Sequence, residues 1–270
     1  MTDAHVAIVA GKGGVGKTTV TAVLARAAKD RGLRVLVVEL DGKPALAKLV
    51  GPDIQCLALT PTDALAEYLD THGLGRVAKR LSTSGVIEVV ATAAPGIDDI
   101  VVLGKIKQLE QSGKYDLIVV DGPAAGHAIT FLMAPTNLLK LMRGGPIRSQ
   151  ALDVGELLTD PARSQVILVT LPETTPVNEV VETAAALQEE ARLHLGPIVV
   201  NAFDGGADLP AAKAPADSPL RAAAEFRNAR RALHRREVAR LAESLDRPQL
   251  RLPIMASAAM DSEVVNVLAA

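Results

Sequence analysis

The sequence has few aromatic residues and only one cysteine. Aromatic side chains make up 2% of its 270 residues, and tryptophan is missing. The core must therefore be built from valine, isoleucine, leucine and alanine, which suits a parallel sheet covered by helices on both faces. The single cysteine, Cys56, excludes an internal disulfide and a metal site built only from cysteines of one chain.

The sequence also lacks a strong net charge and a long apolar run. Its formal net charge is −2, so no overall positive field attracts nucleic acid or anionic lipid. No apolar run reaches the roughly 20 residues that a bilayer-spanning helix needs, and the N-terminal residues lack the pattern of a signal peptide. We expect a cytoplasmic protein with no stable membrane insertion and no nucleic-acid partner.

Short β-branched segments alternate with helical patterns along the chain. This order predicts right-handed crossovers and an α/β fold, with a doubly wound, mostly parallel sheet flanked by helices. No long linker divides the chain, so we predict one domain over 1–270, with a mobile, Gly- and Pro-rich surface loop at 204–219. The predicted strands are 5–10, 34–40, 116–121, 165–170 and 197–201, with 249–253 as a candidate for one more. The predicted helices are 17–31, 61–72, 97–112, 126–143, 174–194 and 219–245.

The segment GKGGVGKT, at 11–18, has the spacing of a phosphate-binding P-loop, and it joins a predicted strand to a predicted helix. Glycines let backbone N–H groups close around phosphate oxygens, and the helix points its positive end at the same anion. Lys17 adds charge for the β- and γ-phosphates, and Thr18 offers a hydroxyl to Mg²⁺. A chance match in a glycine-rich turn is the alternative. The predicted cofactors are ATP and Mg²⁺, and the predicted nucleotide-binding residues of the loop are Gly13, Gly14, Val15, Gly16, Lys17, Thr18 and Thr19.

Lys12 is a second positive charge in this loop, and it costs repulsion unless a nucleotide or a neighbouring subunit offsets it. The form GKGGVGKTT resembles the deviant P-loop of the family that includes the arsenical pump-driving ATPase and the tail-anchored-protein targeting ATPase. In that family the extra lysine reaches the partner's nucleotide across a dimer interface. The resemblance implies that Lys12 acts in trans, in a homodimer or in a heterodimer with a paralogue. A solvent-facing lysine at the loop entrance is the alternative.

Two aspartates follow predicted strands. Asp121 ends an apolar strand, the setting of a Walker B carboxylate that holds Mg²⁺. The resemblance implies that Asp41 lies at the metal site with Thr18 and Asp121 and orients the attacking water, whereas a helix-capping role is its alternative. Both following segments depart from the family: 42–44 lack its Pro-Ala-His, and 122–125 lack its threonines.

Two later residues match positions that contact the base in the family. Asn201, at a predicted strand end, matches an asparagine against the purine edge, where an amide can both donate and accept. Pro253 matches a proline that packs on the base. Strand-end turn residues are the alternative for both. His127, at a predicted helix start, also matches the family, but we assign it no catalytic role.

The resemblance runs from Val6 to about Pro253, yet the chain lacks the Met-rich insertion of the targeting ATPase. One cysteine cannot supply that enzyme's zinc clip or the thiolates of an arsenite site. We therefore expect a Mg²⁺-dependent, dimeric switch ATPase without arsenite or zinc sites, acting on an unidentified client protein. One alternative is a weakly hydrolysing, nucleotide-holding subunit that pairs with a larger paralogue. The other is a partition or positioning ATPase on DNA or membrane, although the arginines of 219–245 are interleaved with glutamates.

Overall fold

The computed structural model describes residues 4–40, 45–71, 96–123, 125–210, 215, 217–257 and 260–270. Within them, parallel strands form one seven-stranded sheet in the order β3-β2-β4-β1-β5-β6-β7. The predicted α/β fold with a parallel sheet flanked by helices is therefore confirmed. The strands are β1 Val6–Gly11, β2 Val35–Glu39, β3 Gln55–Ala58, β4 Leu117–Asp121, β5 Ser164–Thr170, β6 Ile198–Phe203 and β7 Gln249–Pro253.

Every predicted helix is present, although the helix predicted over 174–194 ends at Glu189. In the described part of the chain, no helix is long and apolar enough to cross a bilayer. The helices are α1 Lys17–Asp30, α2 Ala45–Val50, α3 Pro61–Thr71, α4 Ile97–Gln111, α5 Ala125–Leu141, α6 Pro146–Thr159, α7 Thr174–Glu189, α8 Pro219–Ser244 and α9 Ser262–Ala269.

Sequence reasoning missed β3 and the helices α6 and α9, and it included α2 only as the helix from Pro44 in the capping alternative for Asp41. The edge strand β3 has only four residues, none of them fully buried, so it carries little hydrophobic pattern. The Gly-Gly-Pro sequence before α6 signals a turn, yet Pro146 is the first residue of that helix. Proline is tolerated at this position because its missing N–H would have no partner within the helix.

Each face of the sheet carries its own hydrophobic cluster. Along β1, Val6 and Ile8 point into one cluster, which α3 to α8 cover, whereas Ala7 and Val9 point into the other, which α1, α2 and α9 cover. The neighbours β1 and β4 are followed by helices on opposite faces, α1 and α5. A crevice at the carboxyl ends of such strands is where ligands bind in open α/β sheets.

The loop predicted at 204–219 is described at 204–210, 215 and 217–219, and it has neither helix nor strand there until α8 begins at Pro219. Asp204 accepts hydrogen bonds from Arg227 and Arg231 of α8 at 2.9 and 2.8 Å. Leu209 exchanges two backbone hydrogen bonds with the Asn228 side chain, at 2.8 and 2.9 Å. These contacts hold the first part of the segment against α8, and the mobility of the loop stays a prediction.

Candidate functional site

The loop between β1 and α1 contains glycines at positive φ, a backbone conformation that L side chains rarely adopt. Gly14 and Gly16 have φ angles of +84° and +89°. A Cβ on Gly16 would lie 2.2 Å from Asn201 Nδ2, so only glycine fits there without a shift of its neighbour. A Cβ on Gly13 or Gly14 would meet no heavy atom within 4 Å, so the outer side of the loop is open. Because α1 begins at Lys17, its positive end faces this loop.

The two lysines of the loop point in different directions. Lys17 Nζ donates to the carbonyl oxygen of Lys12 at 3.4 Å and so lies across its own loop. The Lys12 ammonium extends away from the loop and pairs with the Glu179 carboxylate of α7. The Lys12 side chain is 51% exposed. The loop therefore keeps one positive charge across its own backbone and directs the other outward.

A hydroxyl and a carboxylate meet beneath the loop, at the start of α1 and the end of β4. Thr18 Oγ1 donates to Asp121 Oδ2 at 2.8 Å, and Thr21 Oγ1 donates to Asp121 Oδ1 at 3.1 Å. Asp121 is 8% exposed. Thr19 lies between the two threonines in the first turn of α1. Sequence reasoning missed Thr21, although a residue three positions after Thr18 on a helix shares its face.

A second carboxylate ends the neighbouring strand. Glu39 closes β2 as the register partner of Asp121, and it is 5% exposed. Its position two residues before Asp41 was a signal that sequence reasoning did not use. Burial, and then the charges of Glu39 and Asp121, raise the pKa of the Cys56 thiol, so this cysteine stays protonated at neutral pH. Asp41 and the departing residues 42–44 lie outside the described residues.

Of the two predicted base-contacting residues, Asn201 lies in the second half of β6, two residues before its end at Phe203, and Pro253 ends the neighbouring strand β7. Asn201 Nδ2 donates to the Val15 carbonyl oxygen at 2.9 Å and so ties β6 to the P-loop. Its amide oxygen and second N–H remain for another partner. Pro253 is exposed and pairs in register with Phe203 of β6. Contact of either residue with a purine stays a prediction.

The segment after Asp121 is packed too closely for a side chain at its first position. Gly122 N donates to the Val9 carbonyl oxygen at 3.0 Å. A Cβ on Gly122 would lie 2.4 Å from that same oxygen. The backbone here therefore requires glycine, which accounts for one of the missing threonines. Ala124 lies outside the described residues.

His127, near the start of α5, contacts the neighbouring helix α4. Its Nε2 lies 3.1 Å from Asp99 Oδ1 of α4, and its side chain is 60% exposed. Burial raises the pKa of the Asp99 carboxyl, and the charge of His127 opposes that rise. Within the described residues, no group of three or more histidine, cysteine or acidic side chains could hold a metal ion. In this geometry, His127 connects α5 to α4 through its contact with Asp99.

A cavity of about 430 Å³ lies between the P-loop, α5 and α7. Its walls are mainly apolar, with Val15 on the loop, Ile129 on α5 and Val180 on α7. The Lys12–Glu179 pair lies at its edge. The outward lysine therefore has open space beside it.

Comparison with known proteins agrees with this geometry. Residues 4–152, more than half of the chain and including the P-loop and Asp121, match the family model described as Anion-transporting ATPase. ATPase BagA of Mycobacterium tuberculosis is 34% identical over 220 residues, which cover 72% of this chain and 64% of BagA. ATPase GET3B of Arabidopsis thaliana is 24% identical over 246 residues, covering 67% of this chain and 60% of GET3B.

The arsenical pump-driving ATPase of Escherichia coli is 30% identical over 209 residues, covering 71% of this chain and 33% of that enzyme. The chain thus spans less than two thirds of the length of each of these relatives. The family match, and a P-loop whose threonine meets a strand-end aspartate, confirm the predicted resemblance. The chain belongs to the anion-transporting ATPase family, whose members are nucleotide-binding P-loop ATPases.

Proposed function

We propose that the chain is a Mg²⁺-dependent ATPase that closes as a dimer around ATP. The observation that carries the proposal is the 2.8 Å hydrogen bond from Thr18 Oγ1 to Asp121, directly beneath a P-loop with glycines at positive φ. Backbone N–H groups of residues 13–19 would surround the phosphates, and Lys17 would pair with the β- and γ-phosphates.

The residues present fit Mg²⁺ as a cofactor. Proteins usually hold this ion through one or two carboxylates together with water and phosphate oxygens. The Thr18 hydroxyl and the Asp121 carboxylate are such oxygen donors and lie together, and we propose that Asp41 joins them. Thr21 holds the other Asp121 oxygen and so fixes the orientation of the carboxylate. Bound Mg²⁺ would neutralise charge on the β- and γ-phosphate oxygens.

The direction of Lys12 supports a dimer. Its ammonium extends to α7 rather than over the phosphate position of its own loop, and the side chain is half exposed. In a symmetric pair, each copy would offer Lys12 to the nucleotide of the other. A charge supplied in trans to the transition state can be worth about 10³–10⁵ in rate. The partner is a second copy or a related chain, and a client protein would respond to the closed state.

Steady-state ATP hydrolysis tests the role of Lys12. We expect Lys12→Ala to bind a fluorescent ATP analogue within a few-fold of the wild type, while hydrolysis falls by about 10³–10⁵. Lys48→Ala, which removes an exposed lysine of α2, is the matched control and should hydrolyse ATP normally. Hydrolysis by Lys12→Ala at the wild-type rate would contradict the proposal.

Mixing two inactive variants tests whether Lys12 acts in trans within a homodimer. The Lys12→Ala chain keeps Lys17, and the Lys17→Ala chain keeps Lys12. A mixed dimer contains one site with Lys17 in the loop and Lys12 from the partner. Activity should therefore reappear on mixing, whereas a lysine that acts on its own loop gives no recovery.

The second candidate is a nucleotide-holding subunit that hydrolyses weakly and pairs with a larger paralogue. The close packing of Gly122 on the Val9 carbonyl favours it, because no side-chain hydroxyl can stand at that position. Steady-state hydrolysis by the wild type, compared with Asp41→Asn, separates the two candidates. The ATPase proposal requires that the wild type be clearly faster than the variant.

A partition or positioning ATPase on DNA or membrane is less favoured. The arginines of α8 lie in ion pairs with acidic residues of the same helix, of the 204–210 segment or of the start of α7, which leaves little charge for phosphate backbones. Salt-sensitive DNA binding by the purified chain would revive this candidate. The pairs are Arg221–Glu225, Arg227–Asp204, Arg230–Glu173, Arg231–Asp204, Arg235–Asp208, Arg236–Glu237 and Arg240–Glu237.

A further inference from the structure

We propose that Glu179 is a latch, a counterion that holds Lys12 in the free chain and must be exchanged for the partner's nucleotide. The inference rests on the trans role of Lys12 in the proposed function. Glu179 lies in the second turn of α7, and its Oε1 accepts a hydrogen bond from Lys12 Nζ. Its Oε2 is buried and has no hydrogen-bond partner among the described residues. Lys12 is therefore the group that compensates this partly desolvated carboxylate.

Only the side chain of Lys12 needs to move for the latch to open. The Lys12 carbonyl oxygen accepts from Lys17 Nζ at 3.4 Å, so the backbone at this position is tied to its own loop. The Lys12 side chain is 51% exposed and borders the cavity between the loop and α7. Rotation about its flexible stem can carry the ammonium from α7 to an approaching partner without rebuilding the loop.

The difference in negative charge between Glu179 and a triphosphate determines which of them Lys12 prefers. Glu179 offers one negative charge, whereas a triphosphate on a partner offers several. Under the proposed function, the greater negative charge of the triphosphate therefore shifts Lys12 from Glu179 toward the nucleotide of a partner. Since the latch also opposes assembly without nucleotide, its loss should make ATP-driven association easier.

The solvent exposure of the Lys12–Glu179 pair sets the expected change in the midpoint of ATP-driven association. Glu179 is 29% exposed and Lys12 51%, and a pair this open changes an equilibrium by about twofold to fivefold. A symmetric dimer opens two latches, one in each copy. The protein concentration at the midpoint of ATP-driven association should therefore fall by about fourfold to twenty-fivefold when Glu179 is neutralised.

Limited acetylation of the nucleotide-free chain, read by mass spectrometry, tests the latch without any dimer. Lys12 acetylation is compared with that of Lys48 and Lys140, two exposed lysines. We expect Glu179→Gln to raise Lys12 acetylation several-fold relative to both. Glu182→Gln is the matched control, because Glu182 is an exposed glutamate one turn further along α7 that lines the same cavity. It should leave Lys12 acetylation unchanged.

The association midpoint with ATP and Mg²⁺ is then measured by light scattering for the same three proteins. Equal Lys12 acetylation in all three refutes the latch, and so does a higher midpoint for Glu179→Gln. A rise in Lys12 acetylation without ATP-driven association in any of them supports the latch and refutes the dimer proposal. If Glu179→Gln does not fold, wild-type Lys12 acetylation should rise relative to Lys48 as NaCl screens the pair, and a constant ratio refutes the latch.

Discussion

Replacing Gly16 with alanine should destabilise the chain through two separate effects. Gly16 has φ +89°, and a residue with a Cβ pays about 1–2 kcal/mol to adopt this left-handed conformation. The new Cβ would also lie 2.2 Å from Asn201 Nδ2 and so displace that amide from the Val15 carbonyl. Loss of this hydrogen bond costs about 1 kcal/mol. We therefore expect Gly16→Ala to lower the free energy of unfolding by about 2–3 kcal/mol.

Urea denaturation followed by far-UV circular dichroism measures this change, and a double-mutant cycle separates its parts. Asn201→Ala removes the displaced amide, so Gly16→Ala in that background should cost only the backbone strain, about 1–2 kcal/mol. Gly13→Ala is the control, because its Cβ meets no atom within 4 Å and its φ is not positive. A Gly16→Ala variant as stable as Gly13→Ala, or full additivity with Asn201→Ala, would refute the reasoning.

Three further outcomes are expected. Asp121→Asn should reduce the Mg²⁺-dependent part of ATP affinity by about tenfold, measured by calorimetry with and without Mg²⁺. Hydrogen bonds from Arg227 and then Arg231 lower the pKa of Asp204 from 3.8 to about 2, so its stabilisation is present above pH 3.8 and is lost as the pH falls toward 2. Asp204→Asn should accordingly flatten the stability curve in that interval. Gly155→Ala, in α6 with no atom within 4 Å of the new Cβ, should raise the free energy of unfolding by about 1 kcal/mol in urea.

Features encoded within one stretch of chain could be predicted from the sequence. The P-loop is such a feature. A strand, a glycine-rich turn and the start of a helix follow one another within about 15 residues, and together they form a common motif. The alternation of apolar strands and helical patterns likewise predicted the parallel sheet. In both cases the pattern lies in neighbouring residues, so the presence of the loop and of the strands could be predicted, although the pairing of the strands joins distant segments.

Contacts between distant segments could not be predicted. Lys12 and Glu179 are 167 positions apart, and only the packing of α7 beside the P-loop brings them together. Glu39 lies beside Asp121 because β2 and β4 pair in one register, which the sequence does not specify. Gly122 likewise approaches the Val9 carbonyl closely because β1 and β4 pair with Val9 opposite Asp121.

Asn201 shows how a family resemblance and a structure can assign one residue two different contacts. The resemblance assigns its amide to a purine edge, whereas in the structure Nδ2 donates to the Val15 carbonyl oxygen of the P-loop. Lys12 and Thr18 follow the same pattern, since Glu179 and Asp121 engage groups that phosphate and metal binding would also use. Each contact orders a group of the P-loop or beside it, and under the proposed function it is exchanged or shared when nucleotide binds. For the proposed switch we therefore expect these contacts to order the P-loop and to lower its nucleotide affinity, because each must be given up or shared on binding.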